Sequence, residues 1–176
     1  MMGEGWGMFT SVTRNQLGIS IRRAVSSDAS ALTRIAHAAK RRWGYPERWI
    51  EAWSKELTIT EDDIVAGAFW VAEADGQPLG LYALLGDPAQ PKLEHMWVDP
   101  AAMHGGVGRT LFMHAAEQAR ARGAKALTID ADPNAAGFYQ RMGAVQVGMV
   151  ETSMEGVARQ RPQYLYDLTT SGAKGP

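Results

Sequence analysis

The chain contains no cysteine among its 176 residues. This absence excludes disulfide bonds, thiolate metal sites and a cysteine nucleophile. The chain also lacks an excess of charge of either sign. Its formal net charge is −1, which argues against a nucleic-acid-binding surface or a basic membrane-binding face. No apolar run approaches the roughly 18 residues that a membrane-spanning helix needs. These absences favour a cytoplasmic enzyme or binding protein.

The length predicts one domain with a full hydrophobic core. We expect residues 1–18 to form a flexible extension, because this glycine-containing stretch lacks the basic start and long apolar centre of a signal peptide. The folded domain is expected to span residues 19–168, and residues 169–176 to form a tail. No repeat, low-complexity segment or linker divides the chain.

Hydrophobic periodicity and turn residues predict a mixed α/β order, β-α-α-α-β-β-β-α-β-α-β-β. The expected strands alternate apolar and polar residues or are short apolar runs; they are 19–23, 69–73, 78–85, 92–98, 127–131, 145–150 and 163–168. The expected helices follow capping residues or apolar positions at helical spacing; they begin near Ser27, Pro46, Glu61, Val107 and Ala135. Asp75-Gly76 predicts the hairpin between the second and third strands.

A glycine loop, His104-Gly105-Gly106-Val107-Gly108-Arg109, lies between the strand 92–98 and about four predicted helical turns. Glycines allow close approach of a ligand to the backbone, and a helix N-terminus attracts anions. The loop therefore predicts a bound phosphorylated ligand. It matches neither a Walker A loop, which needs Gly-Lys-Ser/Thr, nor a dinucleotide fingerprint, which needs a third glycine.

The loop resembles the acetyl-CoA pyrophosphate loop of the GCN5-related N-acetyltransferase (GNAT) family, [QR]-x-x-G-x-[GA]. Gly106 and Gly108 match the two small positions, whereas Met103 replaces the usual Gln or Arg. A second segment, residues 132–144, resembles the family pattern N-x-x-[AG]-x-x-[FL]-Y-x-x-x-G-[FA] almost residue for residue. With the element order, the resemblance covers residues 19–168.

This resemblance implies a single GNAT domain with a mixed, mostly antiparallel sheet of about seven strands flanked by helices. It implies acetyl-CoA as co-substrate and direct acetyl transfer to a primary amine of a small molecule or peptide, without a covalent intermediate. The implied cofactor-binding residues come from the strand, the glycine loop and the second segment. They are Met96, Trp97, Val98, His104, Gly105, Gly106, Val107, Gly108, Arg109, Asn134, Ala136 and Tyr139.

In the family, a tyrosine at the position of Tyr139 points its hydroxyl at the sulfur of CoA, so we expect Tyr139 to be the catalytic acid. Packing against the sheet would also explain an aromatic residue there. Asn134 is expected to bond the pantetheine arm, although helix capping alone would explain it.

Glu94 is expected to be the general base, because a carboxylate in an apolar strand is costly unless it is paired or functional. Alternation predicts that Glu94, Met96 and Val98 share one face of the strand, opposite His95 and Trp97. The alternatives are a structural role for Glu94, as the partner of an arginine or of a backbone amide, and His95 as the base.

Trp43 and Tyr45 are expected to bind the acceptor, whereas Trp49 and Trp53 are at a spacing typical of a helix core. The histidines lack metal-ligand spacing, so we expect no metal. Partners are expected to be an amine acceptor and, as an option, a second copy in a homodimer. A non-catalytic acyl-CoA-binding module is the main alternative; transfer to a hydroxyl or of a longer acyl group is another.

Overall fold

The computed structural model describes residues 13–14 and 17–170. In this part of the chain the strands are β1 (Thr13–Arg14), β2 (Ser20–Arg23), β3 (Ala68–Ala74), β4 (Gln77–Leu85), β5 (Lys92–Val98), β6 (Ala126–Asp130), β7 (Val145–Met154) and β8 (Val157–Asp167). The α-helices are α1 (Ala29–Arg42), α2 (Glu47–Ala52), α3 (Ser54–Leu57), α4 (Glu61–Ala66), α5 (Val107–Ala121) and α6 (Ala136–Arg141). None of the helices described is long and apolar enough to cross a membrane.

The strands form one sheet in the order β1-β2-β3-β4-β5-β6-β8-β7. All neighbours are antiparallel except β5 and β6, which are parallel. The predicted fold class, a single mixed and mostly antiparallel sheet flanked by helices, is confirmed. The seven predicted strands are β2 to β8, and β1 adds an eighth at one edge.

Each face of the sheet has its own hydrophobic core. On one face, α1 to α4 pack against the β3 and β4 residues Phe69, Val71, Leu81 and Ala83. On the other face, α5 and α6 pack against a second set of buried side chains that includes Tyr82 and Leu93. Both faces are therefore covered, which is typical of a sheet with helix crossovers.

Three boundaries differ from the sequence expectation. The helix predicted from Pro46 is two short helices, α2 and α3, which meet at Trp53. The last two strands are much longer than predicted and form a hairpin with a tight turn at Glu155–Gly156. In the expected extension 1–18, Thr13–Arg14 pair with β2. Residues 1–12 and 15–16 of that extension, and 171–176 of the expected tail, lie outside the described residues.

A β-bulge in β5 overturns the predicted alternation. Ala83 pairs with Glu94 and Leu81 pairs with Trp97, so one residue of β4 lies opposite two of β5. His95 is in the left-handed region at φ = 52°, which is typical of a bulge. Because of the extra residue, Glu94 shares its face with His95 and Trp97.

Met96 and Val98, by contrast, pack on the opposite face with the α5 core. The expectation that Glu94 shares a face with Met96 and Val98 is therefore wrong.

A buried tyrosine–histidine pair couples β4 to α5. The Tyr82 hydroxyl lies 2.7 Å from Nδ1 of His114, and both side chains are buried. Burial, aided by the charge of Arg122, lowers the pKa of His114 to about 4. The imidazole of His114 is therefore neutral at neutral pH, and it shares this hydrogen bond with the Tyr82 hydroxyl.

The depressed pKa predicts acid sensitivity of the fold. Between pH 6.5 and 4 the unfolded chain binds a proton at this histidine that the folded chain does not. Stability is therefore fully present above pH 6.5 and falls as the pH drops, by up to roughly 3 kcal/mol near pH 4. We expect His114→Asn to remove this part of the pH dependence, as measured by urea unfolding at a series of pH values.

The matched control is His104→Asn, since His104 is exposed and its left-handed backbone suits asparagine. The control should keep the wild-type pH dependence. Parallel pH profiles for wild type and His114→Asn would contradict the prediction.

Candidate active site

The parallel strands β5 and β6 separate after a single registered pair, Lys92 with Thr128. A cavity of about 420 Å³ lies beside β5, in the gap between the two strands. It is lined by β5, the end of β6 with the residues after it, the end of α1, Trp53, α3, α6 and the β7–β8 hairpin. The lining residues are Lys40, Trp43, Trp53, Glu56, Leu57, Leu93, Glu94, His95, Met96, Trp97, Asp130, Ala131, Asp132, Ala135, Tyr139, Thr152, Ser153, Met154, Arg159 and Arg161.

Tyr139 lies on α6, and its side chain lines the cavity from the α5 side of the sheet. The residue is only 7% exposed, and its ring packs near Phe112, Phe138 and Tyr164. Burial raises the pKa of Tyr139 well above that of a free phenol, and the negative charge of Glu94 adds to the effect. The hydroxyl therefore keeps its proton at neutral pH and can donate it.

Glu94 lines the same cavity from β5. Its Oε1 lies 3.3 Å from Nζ of Lys92, and the same ammonium binds Oδ2 of Asp130 at 2.5 Å. Glu94 thus has a structural partner, but it is a lysine of its own strand and not the arginine or backbone amide considered from the sequence. The Glu94 side chain is about one-third exposed, so it also remains accessible from the cavity.

His95, the alternative base, follows Glu94 at the bulge. Its ring packs 5.6 Å from the ring of Phe69. Burial lowers the pKa of His95, although the charges of Glu94 and Asp63 oppose the effect. The imidazole is therefore neutral at pH 7 and can accept a proton, so the geometry keeps both candidates for the base.

The glycine loop leads directly into α5, as predicted. Gly106 has φ = 83° and is the N-cap of the helix, and an added Cβ would lie 2.8 Å from Leu17. At Gly108 an added Cβ would lie 3.3 Å from Phe138 of α6. The first N–H groups of a helix have no partner within the helix, and here the exposed Arg109 lies in the same turn. This terminus suits a phosphate.

The predicted cofactor residues of the strand end close to this loop. The N–H and C=O groups of Met96, Trp97 and Val98 lie in the part of β5 that has separated from β6. Backbone groups need hydrogen-bond partners, and an extended amide-bearing ligand could supply them here. His104, Gly105 and Val107 complete the loop at the start of α5, and Ala136 begins α6.

The structure changes the capping role of Asn134. Oδ1 of Asp132 accepts the backbone N–H of Asn134, so Asp132 is the cap of the short turn before α6. The Asn134 side chain donates instead to the Tyr45 hydroxyl at 3.1 Å and to Asp132 at 3.0 Å.

The two residues predicted to bind the acceptor, Trp43 and Tyr45, lie at different places relative to the cavity. Trp43 lines the cavity and its ring lies 5.6 Å from that of Trp97. Tyr45 does not line it: the hydroxyl lies 3.0 Å from Asp132 and receives a hydrogen bond from Arg159 at 2.9 Å. Tyr45 thus supports the cavity wall from behind. Trp53, expected as a core residue, is buried and also lines the cavity.

The sequence analysis missed six charged residues that line the cavity: Lys40, Glu56, Asp130, Asp132, Arg159 and Arg161. Nζ of Lys40 is 2.8 Å from Oδ2 of Asp132 and 4.0 Å from the centre of the Trp53 ring. Burial lowers the pKa of Lys40, and its bond to Asp132 opposes that shift. The arginines belong to β8, in a stretch that the sequence analysis took as a loop. The spacing of the two arginines, at every second position, was the sequence signal that could have indicated a strand here.

The comparisons with known proteins agree with this geometry. Residues 33–144 match the profile of the Acetyltransferase (GNAT) family. A GCN5-related N-acetyltransferase from Rhodopseudomonas palustris is 25% identical, with a TM-score of 0.71 over 92% of this chain and 99% of that chain.

Two more distant structures share the fold. PaiA N-acetyltransferase from Thermoplasma acidophilum, solved with coenzyme A, is 21% identical, with a TM-score of 0.64 over 84% of this chain and 99% of that one. The yncA protein of Salmonella typhimurium, solved with acetyl-CoA, is 17% identical, with a TM-score of 0.63 over 90% and 98%. No curated protein sequence matches the chain. On the profile match and the shared fold, the chain belongs to the GNAT family of acetyltransferases.

Proposed function

We propose that this acetyltransferase moves an acetyl group from acetyl-CoA directly to a primary amine of a small molecule or peptide. The observation that carries the proposal is that a carboxylate, Glu94, and a protonated phenol, Tyr139, line one cavity where β5 and β6 separate. The transfer needs a base that takes a proton from the amine and an acid that gives a proton to the departing sulfur.

The residues present fit acetyl-CoA, the co-substrate of this family. The N-terminus of α5 and its glycine loop would hold the pyrophosphate. The separated part of β5, with Asn134 and Ala136 across the gap, would hold the pantetheine arm. When bound, the cofactor supplies the acetyl thioester. Met103, where the family has Gln or Arg, offers no side-chain donor to the phosphates.

In the proposed mechanism Glu94 takes a proton from the acceptor ammonium, directly or through water. The neutral nitrogen then forms a bond to the acetyl carbon while the bond from that carbon to sulfur breaks. Tyr139 donates its proton to the departing sulfur, and the raised pKa of its phenol keeps that proton available until then. The new amide nitrogen then loses its second proton, directly or through water, to the Tyr139 phenolate. Glu94 releases its proton to solvent, so both side chains return to their starting states. No residue needs to carry the acetyl group.

Three expectations stay predictions. A homodimer would find exposed apolar side chains along the edge strand β7, at Val145, Val147 and Met149. A cytoplasmic location is the second. The third is the alternative of an acyl-CoA-binding module without turnover, which the carboxylate and phenol in the cavity disfavour.

The phosphate site is tested by Gly105→Glu. Gly105 does not have positive φ, and an added Cβ would meet only Ala102 O at 3.4 Å, so a side chain is tolerated. The new carboxylate would repel the pyrophosphate at the helix N-terminus. We expect acetyl-CoA affinity to fall at least roughly tenfold in calorimetry.

Gly105→Ala is the matched control and should bind acetyl-CoA as the wild type does. Both variants should melt at the wild-type temperature without ligand. Unchanged affinity in Gly105→Glu would place the pyrophosphate elsewhere.

The base is tested by Glu94→Gln, which keeps the shape but cannot accept a proton. If Glu94 is the base, kcat/KM should fall by roughly 10²–10⁴ while acetyl-CoA affinity stays nearly intact. His95→Asn is the comparison. A loss below tenfold for Glu94→Gln, together with a severe loss for His95→Asn, would assign the base to His95.

The pH profile separates the same two candidates. A base must be deprotonated, so activity rises with pH through its pKa. If His95 is the base, its lowered pKa places the acid limb of kcat/KM below pH 6.5. That limb should then persist in Glu94→Gln and disappear in His95→Asn.

The acid is tested by Tyr139→Phe, which removes one oxygen and keeps the ring. Turnover should fall by about 10²-fold or more, in kcat rather than KM, because the proton matters only as the C–S bond breaks. Phe112→Leu, which trims a ring packed near Tyr139, is the control for packing and should lower the melting temperature more than kcat. Normal turnover in Tyr139→Phe would leave this tyrosine with a packing role.

A further inference from the structure

Two arginines line the cavity from β8. Arg159 and Arg161 are two residues apart on one strand, so both project from the same face of the sheet. Both are half-buried. The guanidinium of Arg159 lies 4.9 Å from the centre of the Trp53 ring and 5.1 Å from that of Tyr45, so its position is set by aromatic packing.

Neither arginine has a carboxylate partner within 4 Å in residues 17–170. The nearby carboxylates are bound to lysines: Asp132 to Lys40, and both Glu94 and Asp130 to Lys92. Arg161 donates one N–H to the backbone carbonyl of Asp130, and Arg159 donates one to the Tyr45 hydroxyl. Most of their guanidinium donors are thus left for another group.

Desolvation of a half-buried guanidinium without a counterion costs free energy, and an anion supplied by a ligand would offset that cost. Arginine is suited to this role, because its planar donors bind a carboxylate with two parallel hydrogen bonds. The proposed pyrophosphate site is the glycine loop, which does not line this cavity, and the 3′-phosphate of CoA lies farther along the cofactor, on the adenosine. Pantetheine and the thioester carry no charge. The anion must therefore belong to the acceptor.

Carboxylates that are not bound to the two arginines also line the cavity. Glu94 lies on β5, and Glu56 lies on α3, exposed. They suit the ammonium form of an acceptor, whereas the β8 wall suits an anion. Arg161 is also close enough to Tyr139 for its positive charge to lower the phenol's pKa, so a group on Arg161 would lie near the reacting atoms.

We propose that the acceptor is a small amine that carries its own carboxylate, an amino acid, and that Arg161 binds this carboxylate beside Arg159. This substrate class rests on the proposed acetyl transfer. Trp43, Leu57 and Met154 surround the remaining volume with apolar surface, which suits an apolar side chain.

The test compares matched acceptors that differ only in the carboxylate. Apolar L-amino acids, with phenylalanine and methionine among them, are assayed against their amides with acetyl-CoA and thiol release. The wild type should prefer the acids at least roughly tenfold in kcat/KM, since a hydrogen-bonded charge is typically worth this much.

Arg161→Gln should lower kcat/KM for the acid by roughly 10²-fold, mainly through KM, and leave the amide nearly unaffected. Acetyl-CoA affinity should not change. Arg42→Gln, at an exposed arginine of α1 that does not line this cavity, is the control and should behave as wild type. Amides or polyamines that react better than the acids would overturn the proposal, as would an equal loss for acid and amide in Arg161→Gln.

Binding of the product separates this proposal from the proposed function. N-acetyl amino acids and their amides are titrated into the CoA complex by calorimetry. Carboxylate-dependent binding that Arg161→Gln removes, with no turnover of any amine, would retain the carboxylate site and reject the transferase mechanism. Turnover of amines without any preference for a carboxylate would do the reverse.

Discussion

The separation of β5 from β6 is the constraint on which the site depends. Parallel strands in a continuous sheet would pair along their length, but these two share one registered pair and then diverge. Past that point the backbone of β5 has no strand on one side, and its polar groups need other partners. At the gap, residues of α6, β8 and α1 line one cavity. In the proposed function, the pantetheine arm would complete the sheet there, as a strand would.

The bulge at His95 decides which side chains face the acceptor. Without the extra residue, Glu94 would share its face with Met96 and Val98 and point into the α5 core. With it, Glu94 and His95 lie on the same side as Trp97, toward α1 to α4. The one-residue shift in register thus makes the Glu94 carboxylate accessible, whereas burial of this charge in the core would be costly.

The pair Lys40–Asp132 closes the cavity on its other side by joining α1 to the segment after β6. A buried ion pair is a weak source of stability, because desolvation offsets the attraction between the charges. Its value here is geometric: Asp132 also binds Tyr45 and caps the turn before α6. Removal of Lys40 would leave the Asp132 carboxylate without its counterion. Removal of Asp132 would leave the lysine unpaired and would also remove the cap of the turn that leads to α6 and Tyr139.

The sequence predicted the local parts of this arrangement well. The hairpin at Asp75-Gly76, the strand–loop–helix at Gly106 and the helix that ends at Gly143 depend on turn chemistry within a few residues, and all three are present. The bulge at His95 could not be read from alternation, because an inserted residue leaves no local signal. Lys40 and Arg159 could not be placed either, since their partners lie far away in the chain.

The proposed site has two halves, which differ in how far apart their residues lie along the chain. The proposed cofactor half is contiguous: β5, α5, β6 and α6 follow one another between Lys92 and Arg141, inside the stretch that matches the family profile. The acceptor half joins α1 to α3 with the β7–β8 hairpin. Its tip is held where Glu155 accepts from Trp49 at 2.9 Å and from Arg48 at 2.9 Å.

Arg159 and Arg161 belong to that hairpin and lie beyond residue 144, where the profile match ends. The features that identify the family therefore say little about the wall that the acceptor meets. That wall is specified by contacts particular to this chain, an arginine held among three aromatic rings and a second one two residues later. The cofactor is common to the family and constrains the residues of the proposed cofactor half. The acceptor constrains only the residues of the acceptor half.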